Sequence, residues 1–149
     1  MSTNERAKIS FRLERDSDGY PPADWEHVWA KHAGDDLYEI DNIPFFAKSI
    51  ALGDRVRARQ VGSELTFMEL VEPSGHSTLR VLMQDPSGTQ GIRDELRGLG
   101  CESELSHIQG LISVDVPPNV EYSIVRALLD RREKTGVLEY EEAALGQDG

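Results

Sequence analysis

The chain has 149 residues, 38% hydrophobic and 29% charged, with 27 Asp and Glu against 16 Lys and Arg, for a formal net charge of −11. That is chain enough for one core or two small packed lobes, and apolar enough to exclude an intrinsically disordered polymer. The acidity is spread, with 9 basic against 14 acidic side chains in residues 1–75 and 7 against 13 in residues 76–149. The whole-molecule field therefore disfavours sequence-independent nucleic-acid binding and makes basic proteins or peptides the better partners. The opening MSTNERAKIS lacks the apolar core of a signal peptide, and no stretch is long enough to cross a bilayer, so a cytoplasmic location is expected. A single cysteine, Cys101, excludes an intrachain disulfide and a cysteine zinc cage.

In chain order, Ile9, Phe11 and Leu13 alternate with Lys8, Ser10 and Arg12, the period of a half-buried strand. The segment DSDGYPP then supplies turn chemistry. Over residues 24–32, Asp24 as N-cap and Trp25, Val28, Trp29 and His32 at helical spacing predict a short helix stopped by Gly34. A brief strand follows at residues 37–40, then a turn at 41–44 in which Pro44 forces Ile43 towards extended geometry. Of Phe45 and Phe46, at least one is expected in the core, and an exposed ring would be an interface anchor. Residues 53–61 read as a strand with Val56 and Ala58 on one face and Arg55, Arg57 and Arg59 on the other. Gly62-Ser63 turns it into a return strand over 64–72, with Leu65, Phe67 and Val71 on one face, giving a hairpin of a small antiparallel sheet or partly open barrel.

Pro73, Ser74 and Gly75 mark a change of pattern, so residues 1–75 are expected to form a β-rich lobe, 76–145 a second lobe, and 146–149 a loose tail. The second half reads strand 78–83, helix 89–99, strands 101–105 and 111–116, helix 120–134 and strand 137–141, the order of a ferredoxin-like split β-α-β. Its first helix offers Ile92, Leu96 and Leu99 to a core and ends at Gly98 to Gly100. Its second offers Ile124, Val125, Leu128 and Leu129, carries Arg131, Arg132 and Lys134 near its C-terminal end, and is capped by Gly136. The fold class is α+β.

Catalytic chemistry does not assemble along the chain. Ser77 beside His76 suggests a nucleophile and base, but neighbours on a strand point to opposite faces, and turn and strand-start chemistry accounts for GHST. His27, His32, His76 and His107 lie on different elements without ligand spacing, and Asp16 to Gly19 lacks the rest of a calcium loop, so no metal or cofactor is expected. The three arginines of residues 55–59 form a cationic strand face that Arg80 could join, either an anion or acidic-peptide site or a solvated face balanced by Glu64, Glu69 and Glu72.

At DGYPP (18–22), at Glu26 and Trp29, at DNIPFFAKSIALGDRVRA (41–58) and at GHSTLRV (75–81), the sequence resembles an uncharacterised bacterial family, domain-of-unknown-function family 4265, over roughly residues 8–142. The resemblance carries no catalytic residues over. DNIPFF, ALGD and GHSTLR are expected to fall where the two lobes meet, which makes Asp41, Asn42, Phe45, Phe46, Asp54, Arg55, Arg57, Arg59, His76, Ser77 and Arg80 the candidate binding residues.

The function expected is a non-catalytic protein-binding or regulatory module, of the immunity or antitoxin kind among others. One alternative is a sensor of a small molecule or anion held between the lobes, or at the loop of residues 84–88 before the helix at Thr89. The other is an enzyme using His76, Arg80 and Asp54 on an anionic substrate.

Overall fold

The computed structural model describes residues 6–19 and 23–146, and the first half of the chain is governed throughout by the two-residue period of strands. Strands β1 (Arg6–Arg12), β2 (Trp25–Gly34), β3 (Leu37–Ile40), β4 (Arg55–Val61) and β5 (Glu64–Glu72) close into a barrel in that order. Antiparallel pairs join each strand to the next, and a parallel contact at Ser10 and Thr66 completes the ring. Inside lie Ile9, Phe11, Val28, Ala30, Ile40, Val56 and Ala58.

The helix expected over residues 24–32 is strand β2. Val28 and Ala30 point into the barrel while Trp25, His27, Trp29 and Lys31 point out. The spacing of Trp25, Val28, Trp29 and His32 satisfies a helical stripe locally, but pairing along all of β1 fixes the alternating register instead. Val71, expected to share a face with Leu65 and Phe67, is 44% exposed, because bulges at Arg55/Val56 and Arg57/Ala58 shift the register between them.

The second half is β6 (Ser77–Met83), α1 (Thr89–Gly98), β7 (Glu102–Leu105), β8 (Leu111–Val116), α2 (Tyr122–Lys134) and β9 (Leu138–Ala144), and its strands form one antiparallel sheet in the order β7-β8-β6-β9. One face, with Leu79, Val81, Ile112, Val114, Val116 and Leu138, packs on Ile92 and Leu96 of α1 and Val125, Leu128 and Leu129 of α2. Ile124, expected in that core, is half exposed, because the buried stripe of α2 runs through Tyr122, Val125, Leu128 and Leu129. No described helix is long and apolar enough to cross a membrane.

The other face of this sheet is polar yet buried. Thr78, Arg80, Ser113 and Asp115 are each at most 3% exposed. They are covered by residues 45–51 of the barrel half: the Thr78 hydroxyl donates to the Ile50 carbonyl, the Ser49 N–H to the Ala143 carbonyl, and Leu111 joins the barrel's own core. At the far end Gly146, expected to begin a loose tail, donates its N–H to Ser77 Oγ. A Cβ there would lie 2.4 Å from the Gly75 carbonyl carbon and the His76 oxygen, an approach open only to glycine. Tail residues 147–149, and Tyr20, Pro21 and Pro22 of DGYPP, lie outside the described residues.

Candidate functional site: the cleft between barrel and sheet

Because the four-stranded sheet buries a polar face, the side chains of that face need partners. Strand pairing lines up Glu104, Ser113, Arg80 and Glu141 in one row across β7, β8, β6 and β9. Arg80 is only 3% exposed. Its Nε donates to Glu141 Oε1 at 2.6 Å, its Nη1 donates to the Phe45 carbonyl at 2.6 Å, and its guanidinium carbon lies 5.9 Å from the centre of the Phe46 ring. Among the described residues, Nη2 has no protein acceptor.

Arg80 and Glu141 line a cleft of about 480 Å³ between the sheet and the barrel. Phe11, Phe46 and Phe67 give it an apolar wall, with the Phe11 and Phe67 rings stacked at 4.7 Å. Arg12, Arg15, Lys48 and Arg80 reach it against Glu14, Asp16 and Glu141, so a molecule of net charge −11 turns a slightly cationic lining towards this space. A second cavity of about 370 Å³, walled by Leu82, Ile108, Leu111 and Tyr140, shares the Arg80–Glu141 pair with the first.

The wall is held by Glu26. Pointing inward from β2, its carboxylate accepts the N–H groups of Phe45 at 2.6 Å, Phe46 at 2.9 Å and Ala47 at 2.8 Å. Asn42 Oδ1 accepts the Trp29 N–H at 2.6 Å, and Asp41 pairs with Arg6 and Lys31. Glu104 approaches the same loop through Asn42 and the Ile43 backbone; burial raises its pKa, those two hydrogen bonds oppose the rise, and the nearby Glu26 carboxylate adds to it. DNIPFF is therefore a loop tied down at nearly every residue, which brings Phe46 into the core and leaves Phe45 half-buried.

The other two motifs meet beside it. Asp54, 4% exposed, accepts the N–H groups of Ala51 and Ser74, and Ser74 Oγ, 2.9 Å from its carboxylate, accepts the His76 N–H. His76 Nδ1 lies 2.8 Å from Asp115 Oδ1. Burial raises the Asp115 pKa, and the adjacent imidazole holds it back. Ser77 is fully buried with its hydroxyl on Gly146, turned away from that pair. Neither His76 nor Asp54 lines either cavity, so the trio of His76, Arg80 and Asp54 does not converge on one space.

The arginine strand stands elsewhere, on the outside of the barrel. Arg57 pairs with Glu69 at 2.7 Å and Asp36 at 3.1 Å, both of which raise its pKa, and Arg55 lies 3.7 Å from Glu39. Arg59 is exposed opposite Thr66, and the buried Arg80 does not join the group. At the loop of residues 84–88, the Asp85 carboxylate takes the Ser87 N–H and hydroxyl, which lowers its pKa and puts an anion where an anionic ligand would sit.

Sequence reasoning missed Lys48 and Glu141 in the lining of the cleft and Glu26 as the anchor of its wall. Glu26 at an inward position of an alternating strand is the signal that the helical reading concealed.

A family model described as "Domain of unknown function (DUF4265)" matches residues 26–140. The chain belongs to this family. It is also similar in fold to a hypothetical protein from Neisseria gonorrhoeae of known crystal structure, with a TM-score of 0.80 and 24% identity over 97% of this chain and 98% of that one. No curated protein matches the chain. The Glu26 anchor, DNIPFF, ALGD and GHSTLR all fall inside the matched span, and together they build one wall of the cleft and the junction beside it.

Proposed function

We propose that this family member is a non-catalytic binding protein that holds a small amphipathic anion in the cleft between its two lobes. The observation that carries the reading is Arg80: a guanidinium nearly removed from solvent, fixed by Glu141 and the Phe45 carbonyl, on a residue that lines the cleft. Such a group offers a preorganised donor to a carboxylate or phosphate oxygen, and the phenylalanine wall suits an apolar or aromatic body behind that head group. Lys48, exposed on the rim, adds a second charge.

The lobes are taken as residues 1–75 and 76–145, the second a ferredoxin-like unit. In support, its elements follow βαββαβ order, its first strand lies between its third and fourth, and both helices cover one face. A cytoplasmic place suits the composition.

The test is isothermal titration with a panel of aryl and alkyl carboxylates, screened first by thermal shift. At least one should bind, and Arg80→Lys and Lys48→Glu should each weaken it about tenfold, a difference of roughly 1.4 kcal/mol. Arg57→Glu, on the barrel's outer face, should leave the affinity unchanged. No binding by any member, or equal binding by the Arg80 and Lys48 variants, defeats the proposal.

A further inference from the structure

Both tryptophans of the chain stand on the outer face of β2, with Trp25 44% and Trp29 37% exposed. Four strand residues apart, they sit about 13 Å from each other along the barrel surface. Pairing in register with β1 surrounds them with cations: Lys8 is opposite Trp29, Arg12 opposite Trp25, and Arg6 opposite Lys31. Arg6 and Lys8 lie 4.5 and 5.0 Å from the centre of the Trp29 ring, and Arg12 lies 5.9 Å from that of Trp25.

Arg6, Lys8, Arg12 and Lys31 thus share a face with three carboxylates: Asp41 pairs with Arg6 and Lys31, Glu64 bonds Ser10 near His27, and Glu39, opposite Lys31, is drawn towards Arg55. Lys8 and Arg12 have no carboxylate partner among the described residues. The face is a cationic island in an acidic molecule, and at physiological salt a surface charge acts only over about 8 Å, so this local sign governs a ligand lying on it.

We infer that this face of the barrel binds single-stranded nucleic acid, with bases stacking on Trp25 and Trp29 and phosphates on Lys8, Arg12 and Arg6. An acidic peptide would use the cations but give the two exposed indoles nothing to stack on, whereas alternating rings and charges match a strand of alternating bases and phosphates. The net charge of the chain argues against such a ligand only if its charges are averaged; the fold segregates them. Arg12 also borders the cleft, but Trp25, Trp29, Arg6 and Lys8 do not line it, so variants at Trp29 and Lys8 test this face alone.

The chain's tryptophans report directly on the site, since both belong to it. Oligothymidine of roughly twelve nucleotides, within the span that small barrels cover, should quench their fluorescence at about 50 mM salt. With about three phosphates engaged, the slope of log affinity against log salt should be about −2, costing roughly tenfold in affinity by about 200 mM. Trp29→Ala and Lys8→Glu, both changes at the surface, should each weaken binding at least fivefold while the circular dichroism spectrum is retained. Polyglutamate of equal charge and vesicles rich in phosphatidylserine should bind more weakly than the oligonucleotide. Absence of quenching and of any mobility shift at low salt, variants that bind like the parent, or tighter binding of polyglutamate or vesicles would each overturn the assignment.

Discussion

Glu26 and Arg80 grip the same residue from opposite halves of the molecule. The carboxylate, on the barrel, takes the Phe45 N–H, and the guanidinium, on the four-stranded sheet, donates to the Phe45 carbonyl. Phe45 is thereby a peptide-wide bolt between barrel and sheet. Its two partners have no direct bond to each other, so they communicate through the loop.

Removing the carboxylate strands three backbone N–H groups. Glu26→Ala is expected to cost about 2–4 kcal/mol, because hydrogen bonds to a charged group are the stronger kind and their loss leaves part-buried donors unmet. Urea denaturation of Glu26→Ala, Arg80→Met and the double variant should show non-additivity of about 0.5–3 kcal/mol, the mark of a shared loop. Strict additivity would mean that the two grips act independently.

Glu104 should make stability depend on pH. Burial raises its folded pKa above its ordinary value, so the protonated side chain fits the fold better than the ionised one. Its contribution is fully present below the ordinary glutamate range and is lost as pH rises through the raised value. Glu104→Gln, which keeps an acceptor for the Ile43 N–H, should melt higher than the parent at pH 7, and that advantage should shrink as pH falls through the raised pKa. A melting difference that stays constant from pH 4 to pH 7 would show that the carboxyl is not penalised by burial.

Leu128, 6% exposed, sits in the core between α2 and the four-stranded sheet. Leu128→Asp places an unpaired charge there and is expected to cost more than about 4 kcal/mol, enough to unfold the chain. Circular dichroism at 25 °C is the measurement, and a cooperative melt like the parent's would contradict the packing of α2.

Local patterns determined much of this protein by themselves. Alternation placed β1, β3, β4 and β5 and the hairpin at Gly62, and the apolar stripes placed α1 and α2, since each depends on residues near one another in the chain. β2 escaped because its inward positions are Glu26, Val28 and Ala30: a carboxylate and a small side chain dilute the alternation, while two tryptophans four apart imitate a helix. Only pairing with β1 resolves the ambiguity, and the same pairing puts the indoles outside among cations. The cleft was decided later still. In sequence, Thr78, Arg80, Ser113 and Asp115 resemble the wet face of a sheet, and nothing within several residues of them says otherwise. They are buried because residues 45–51, carried by the barrel and anchored by Glu26, close over that face, a contact between segments some thirty to seventy positions apart that no local periodicity encodes.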